Sequence, residues 1–553
     1  MDKATTLMDR WIPVLGAAGS TLISPWQIAE DGGLRYRKFA APRPDFNATL
    51  VQFLIGLLQT AFAPEDDRVW ERYWKVPPEP DVLRAAFDSL GDVFRVDGDG
   101  ARFMQDFNLP DGETKPVAAL LMDAPGGNTI RNNQDHFVKR GAVAAVCPYC
   151  AATALLTLQI NAPSGGQGHR VGLRGGGPLS TLVMPRDVET GALGLWHLLW
   201  INVLPRDRFT AAAGMDGAAA IFPWLAPTRT SETNQKVTPM QAHPLQMFWA
   251  MPRRIRLDLE GAAGTCDLCG STVDRMVRSF RTRNFGASYE GWCHVLSPHT
   301  QDETGLRLPL HGQPGGVGYR HWAGIVLGDR QGRLPRAPAR VVADWQTSQQ
   351  KRAVEAGLWC FGYDMDNMKA RAWLDSRMPL LLADEDHRER FEPAARALVA
   401  AAEEAVGYLR MMVKGALFGD VEAQGGNCKW SFPPNASTEG TLFDSLSAQF
   451  WRDSETQFFA HLRRLAAAAA GDDQAAMRTE AESWLGDLAK RVEALFDQQV
   501  GLVEEAEARI KAVVFARTQL KRMCRGDKIK AVLGLITVQA QTKGKARKGG
   551  KRG

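Results

Sequence analysis

Apolar and polar positions follow two different textures along the 553-residue chain. Up to about residue 380, short apolar runs are cut by Gly- and Pro-rich joints such as NAPSGGQGH, RGGGP and HGQPGGVGY. That pattern predicts mixed helices and short strands. Thr49 to Phe62 is apolar on most faces and reads as a buried helix, too short to cross a membrane. Trp11-Ile12-Pro13-Val14 reads as an early short strand with Pro13 at its edge. Arg253 to Leu259 alternates charged and apolar residues, as a half-buried strand does. Beyond about residue 385, Pro and Gly thin out and Ala, Leu, Glu and Arg dominate. Helices are expected over 387–418, 439–470, 472–499 and 502–525, with Gly419 to Gly426, Pro433-Pro434 and Gly471-Asp472-Asp473 as breakers. Trp484, Leu485, Leu488, Val492 and Leu495 recur at helical spacing. Four such helices with short links pack as an antiparallel bundle. The expected fold class is α+β. A large mixed domain spans 1–384, a four-helix bundle spans 385–527, and a basic tail without fixed structure spans 528–553.

Composition changes this picture little. The hydrophobic fraction of 45% is ordinary for a globular protein. The first residues, MDKATTLMDRW, carry charge and no apolar run, so neither a signal peptide nor a membrane span is expected, and the compartment is taken as the cytoplasm. The net charge is +5, but the last thirteen residues hold six basic residues and no acid. Without them the chain is near neutral, so any nucleic-acid surface on the body must be local.

The cysteines change it more. Cys147-Pro-Tyr-Cys150 and Cys266-Asp-Leu-Cys269 are two Cys-x-x-Cys knuckles. Each lets two thiolates bite one ion from a tight turn, and two knuckles complete a tetrahedral shell of four cysteines. One structural zinc ion is the expected cofactor. A closed shell keeps no site for an activated water, so the ion is not expected to be catalytic. The knuckles lie roughly 115 residues apart, so the ion would cross-link distant segments rather than fold a ribbon. Cys293, Cys360, Cys428 and Cys524 lack paired spacing and are expected in the core or incidental. His294 and His299 near Cys293 read as ordinary loop or core histidines.

No phosphate-binding loop, His-Glu-x-x-His or Gly-x-Ser-x-Gly motif is present. The balance favours a binding protein over an enzyme. Three segments fit local nucleic-acid contact. Ser164 to Arg170 contains glycines that let a backbone approach a groove or phosphate closely. Arg275, Arg278, Arg281 and Arg283 follow the second knuckle, with only Asp274 opposing them nearby in sequence. Arg131-Asn132-Asn133-Gln134, with His136, Lys139 and Arg140, forms a polar loop before the first knuckle.

Four stretches together carry a resemblance: Asp9-Arg10-Trp11-Ile12-Pro13-Val14, Phe103-Met104-Gln105, Gly172-Leu173-Arg174-Gly175-Gly176, and Phe361 to Met368. In order and spacing, with the helical C-terminal part, the chain resembles the large subunit of the type I-E CRISPR Cascade complex, the CasA family. The resemblance implies a non-catalytic subunit of an RNA-guided complex. Such a subunit inspects duplex DNA for a protospacer-adjacent motif (PAM), opens the duplex beside it and helps recruit a helicase-nuclease. Guide RNA pairing then reads the remaining sequence. The implied partners are double-stranded target DNA, guide RNA, other Cascade subunits and the helicase-nuclease. By the same resemblance, the PAM-facing glycine loop falls on Gly165, Gly166, Gln167 and Gly168. The minor-groove basic residue falls on Arg283, with Arg281 its rival. The wedge tip falls on Asn367, flanked by Asp366 and Met368, with Lys369 and Arg371 at phosphates. The guide-RNA anchor falls on Asn128, Ile130, Arg131, Asn132 and Asn133. The family's best-known wedge residue is glutamine, where this chain has Asn367. The acid at Asp366 would accept from a cytosine amino group, so a different PAM preference is expected. The competing class is a zinc-containing nucleic-acid-processing enzyme.

Overall fold

The computed structural model describes residues 5–133, 141–211, 214–329, 334–366, 368–382, 385–424, 427–432, 440–500 and 507–537. The chain divides into two compact units. One comprises Met1–Val317 with Gly324–Leu380, the other Gly318–Ala323 with Leu381–Gly553. Among the described residues no helix is long and apolar enough to cross a membrane.

The first unit is built on the helix Pro44–Ala61. Pro44 fits its first turn, where a missing N–H costs nothing. Leu50, Val51, Phe53, Leu54, Ile55, Leu57 and Leu58 are all buried, so the helix is enclosed rather than amphipathic. Its polar residues are satisfied: Gln59 donates to the Leu204 carbonyl at 2.9 Å and accepts from the Leu204 N–H at 2.8 Å. Phe53 meets Trp11, Phe94, Phe103 and Trp249 edge-on at 5.7–6.1 Å between centroids. The helix Pro148–Asn161 lies beside it, joined through Thr49 and Thr157 hydroxyls 2.8 Å apart.

Small antiparallel sheets surround these helices. Strands β1 (Ile12–Gly16), β2 (Gly19–Ile23) and β3 (Tyr36–Phe39) pair in the order β2-β1-β3. The early strand is therefore the central one of the three. Pro13 is tolerated near its start, where β1 pairs with β3 only from Val14 onward. Strands β4 (Glu113–Pro116), β6 (Arg254–Glu260) and β9 (Met276–Arg283) pair in the order β4-β9-β6. Strand β5 (Ser180–Pro185) pairs with β13 (Ala356–Asp366), which turns into β14 (Lys369–Pro379). Strands β7 (Gly264–Thr265) and β8 (Thr272–Val273) flank the second cysteine knuckle. Strands β10 (His299–Gln301), β11 (Arg307–Pro309) and β12 (Arg336–Ala337) make a further small sheet.

The second unit holds the helices Arg388–Phe418, Thr441–Ala470, Gln474–Val500 and Glu507–Met523, and the first packs against the other three. Trp484 is buried and donates to the Leu398 carbonyl at 2.9 Å. The breaker between the first two helices folds as a hairpin, β15 (Asp420–Gln424) and β16 (Asn427–Ser431), which periodicity alone did not predict. Order also continues past residue 527. A short helix Asp527–Val532 buries Ile529, Leu533 and Leu535 are buried after it, and Lys528 reaches Glu404 at 2.8 Å. The expected tail thus begins with packed structure, because Ile529, Leu533 and Leu535 supply an apolar face that the basic composition masked. Residues 538–553 lie outside the described ones.

Phe53 is expected to anchor the first unit. Phe53→Ala removes the ring that four other aromatics contact and should cost about 3–5 kcal/mol. A reduced denaturant midpoint, followed by tryptophan fluorescence, would register it. An unchanged midpoint would place the core elsewhere.

Candidate metal centre and nucleic-acid interface

The two knuckles meet. The sulfurs of Cys147, Cys150, Cys266 and Cys269 all lie within 4.8 Å of one another. Cys147 and Cys269 sulfurs are 3.8 Å apart. A tetrahedron with metal–sulfur bonds of about 2.3 Å has edges of about 3.8 Å, so the donor set fits a four-coordinate ion. Among the described residues this is the one group of three or more ligating side chains gathered closely enough. Cys147 caps the helix Pro148–Asn161, and its sulfur accepts from the Cys150 N–H at 3.4 Å. The second knuckle turns through Gly270 at φ 73°, a conformation that favours glycine. Asp267 stitches the two knuckles: its carboxylate accepts from Ala144 and Ala145 N–H groups at 2.7 and 2.8 Å. Val146 and Val277 exchange backbone hydrogen bonds beside it. Contact with the Cys147 and Cys150 sulfurs pulls the Cys266 thiol down to about 6, and contact with Cys147 pushes the buried Cys150 up. Crowded thiols without an ion share charge unequally. A bound divalent cation is what lets all four ionise.

Two elements run from this cluster to one place. The helix Pro148–Asn161 leaves the first knuckle and ends at the glycine loop. Strand β9 leaves the second knuckle and ends at Arg283. There the Phe285 N–H donates to the Gly168 carbonyl at 2.8 Å, and the Asn284 amide donates to the Gln167 carbonyl at 2.7 Å. Gly166 and Gly168 have φ of 67° and 76°, so the loop needs glycine at both. A Cβ on Gly168 would lie 2.9 Å from that of Asn284.

The β13–β14 hairpin completes the face. Met368 at its tip packs directly onto Gly165, where any Cβ would collide with the thioether. The hairpin root is fixed by polar contacts. The Tyr363 hydroxyl donates to buried Asp45 at 2.6 Å, and Arg43 pairs with Asp45 at 3.0 Å and Asp123 at 3.1 Å. Burial, and then the charge of Asp45, push the Tyr363 phenol well above its ordinary value. It therefore stays a donor.

The sequence-expected site residues separate into groups. Gly165, Gly166, Gln167, Gly168, Arg283, Met368 and the hairpin end carrying Asp366 and Lys369 come together. Asn367 lies outside the described residues. Arg283 is exposed and has no side-chain hydrogen bond or ion pair among the described residues. Its neighbours differ from expectation. Arg275 pairs with Asp97, Arg278 with Glu260 at 3.3 Å, and Arg281 with Asp258 at 3.2 Å. Asp97 is far away in sequence, while Glu260 and Asp258 lie on the adjacent strand β6, and folding brings all three onto the arginines. Arg371, expected at phosphates, instead pairs with Asp364 at 2.6 Å and reaches Asp366 at 3.9 Å. Of the expected RNA-anchoring residues, Ile130, Arg131, Asn132 and Asn133 are exposed at the end of the short helix Gly127–Arg131, which includes Asn128. Gln134, His136, Lys139 and Arg140 lie outside the described residues. Cys360 and Cys524 are buried, and Cys293 lies 3.6 Å from His299. His294 is buried against Phe248, so it forms no second metal group with them.

The family model for CRISPR-associated protein Cse1 matches residues 7–495. The chain belongs to the Cse1 family. Its fold is similar to that of Thermobifida fusca Cse1, with a TM-score of 0.69 at 16% identity, over 97% of this chain and 99% of that one. Cse1 from Acidimicrobium ferrooxidans gives a TM-score of 0.68 at 17% identity, over 97% and 99% of the two chains. A chain of a structure described as a CRISPR RNA-guided surveillance complex gives 0.63 at 15% identity, over 94% and 100%. At these identities the likenesses establish the shared fold, and the family model establishes membership.

Sequence reading missed the residues that hold the face in shape, among them Asp45, Tyr363 and Arg253. Tyr363 lay inside a quoted stretch, but nothing local marks its partner across the chain. Two outcomes are expected for this Cse1-family chain. Cys266→Ser with Cys269→Ser should abolish bound metal, counted by elemental analysis of the purified protein. It should also lower the melting temperature by on the order of 10 °C. Tyr363→Phe leaves Asp45 short of one donor and should cost about 1–3 kcal/mol by denaturant titration. A wild-type protein that folds without metal would contradict the first.

Proposed function

We propose that this chain is the DNA-recognition subunit of an RNA-guided CRISPR surveillance complex of the Cascade type. In this reading it performs no catalysis. It reads a PAM in duplex DNA, helps open the adjoining base pairs for guide RNA, and helps recruit a helicase-nuclease. Family membership supports the Cascade assignment. The observation that carries DNA reading is the packing of the hairpin tip on the glycine loop, beside an exposed Arg283 that has no ion pair among the described residues. Glycines without side chains allow close backbone approach to a groove, and an unpaired arginine suits a narrow minor groove. Arg281, held by Asp258, is the weaker candidate for that role. A hairpin tip beside the reading loop is placed to enter the base stack, where separation costs a few kcal/mol per step. Asn367 is the residue assigned to that insertion. Asp366 and Met368 flank it, and Lys369 faces the phosphates. Asn128 and Ile130 to Asn133 are assigned to the guide-RNA end. The ion at the four cysteines is assigned as zinc, because a closed tetrahedral thiolate shell is its preferred structural site. A cytoplasmic location follows from the same role. The bundle-like packing of the four long helices is read as a separate domain for partner contacts.

The test is duplex binding by the complex reconstituted with guide RNA and the other subunits. Arg283→Ala should weaken binding of a PAM-bearing duplex by about 1–3 kcal/mol, roughly 10- to 100-fold. Arg281→Ala should have the smaller effect. Equal binding by wild type and Arg283→Ala would remove Arg283 from the interface. Metal-dependent cleavage of DNA by the purified chain would replace this reading with an enzymatic one.

A further inference from the structure

The glycine loop has three glycines within Gly165–Gly168 and no basic side chain between Ser164 and Gly168. Such a loop does not hold a shape by its own stiffness, since glycine loses the most conformational freedom on folding. Something must hold it, and something must favour phosphates in front of it. One residue beneath it does both.

Arg253 stands just before β6. Its backbone is locked first: its N–H donates to the Gln159 side chain at 2.9 Å, and its carbonyl accepts from the same amide at 3.0 Å. Gln159 belongs to the helix Pro148–Asn161, so the residue is fixed to the element that delivers the loop. The guanidinium then forks. One terminal nitrogen meets the Pro163 carbonyl, just before the loop, and the other meets Nδ1 of His169, just after it. The fork closes the loop at its two ends.

The charge of this fork is unusual. Arg253 makes no ion pair among the described residues, and its Nε is buried without a hydrogen-bond partner there. Burial lowers its pKa only to about 10, so it stays a cation at neutral pH. Burying a cation without a carboxylate is costly. Burial first, and then Arg253 and Lys115, push His169 below its ordinary value, with only Glu113 opposing. His169 is therefore neutral and accepts the guanidinium hydrogen at Nδ1. A structural arginine would be relieved by an acid here, yet an acid would also repel a phosphate arriving at the loop.

We propose that Arg253 is the positioning residue of the glycine loop, bridging Pro163 and His169 so that the loop keeps the shape that meets PAM-bearing duplex DNA, with a fixed positive charge behind it. This rests on the reading of that loop as the PAM-facing element. A single ammonium cannot span the two acceptors as a planar fork does, so lysine is no substitute.

The test uses the whole complex assembled with guide RNA. The quantity read is the ratio of affinities for PAM-bearing and PAM-less duplexes of otherwise identical sequence. Arg253→Met and Arg253→Lys should each lower that ratio about tenfold, the loss of a charge-assisted hydrogen bond or more. His169→Leu cuts the same bridge while keeping the guanidinium, and should lower it similarly. His169→Gln restores a neutral acceptor and should recover most of it. Should Arg253→Met fail to fold, the His169 pair decides alone. A ratio within about twofold of wild type in His169→Leu overturns the proposal, because such a loss would be too small for a bridge. So does an equal loss in His169→Gln and His169→Leu. If Arg283→Ala lowers the ratio while Arg253→Met does not, only the bridge fails. If neither lowers it, the reading of the whole face fails.

Discussion

The gathering of four cysteine sulfurs from two distant segments is the constraint on which the rest of the first unit depends. It joins the start of the helix Pro148–Asn161 to the start of β9. Those two elements have no other covalent reason to share a direction. Tied at one end by the cysteines and by the Asp267 hydrogen bonds, they meet at the other through Gly168 and Phe285. A helix of this length spans roughly 20 Å, so small errors at its root become large displacements at the loop. A metal ion held by these four sulfurs would therefore aim the loop as well as add stability, since a closed four-thiolate shell would leave no open position for chemistry.

The hairpin is held by a different principle. At its tip Met368 packs on Gly165. Below the tip, however, it is tied by Tyr363 to Asp45 and by Trp359 to Asp375 at 2.9 Å. Asp45 sits in the first turn of the helix Pro44–Ala61, where a carboxylate is favoured by the helix dipole. Root and tip are therefore separable. The root is buried and over-determined, while the tip is exposed and changeable. A tip of this kind can vary its residues without unfolding its support.

The sequence was most legible where spacing alone encodes geometry. Two Cys-x-x-Cys turns predicted one cluster, and the cluster forms. Helical periodicity beyond residue 385 located the long helices to within a few residues. It was least legible where partners lie far apart in the chain. Arg275, Arg278 and Arg281 looked like a free basic run because Asp97, Asp258 and Glu260 belong to other strands and turns. Arg371 differs, since its partner Asp364 is only seven residues away and is brought opposite it by the hairpin. The tail misled through composition: its lysines and arginines hid Ile529, Leu533 and Leu535, whose burial is a tertiary fact.

These partner assignments sharpen the electrostatics of the face. Four arginines after the second knuckle would form a broad basic patch, which binds any duplex through counterion release. With three of them paired to carboxylates, Arg283 is the one of the four without an ion pair among the described residues, and the half-buried Arg253 lies beneath the loop. The chain outside its basic tail is near neutral as well. A subunit that must test many sequences gains from weak general attraction and a single strong point of contact, because general attraction lengthens every wrong encounter. Under the proposed role, the pairing of Arg275, Arg278 and Arg281 would remove affinity that carries no sequence information.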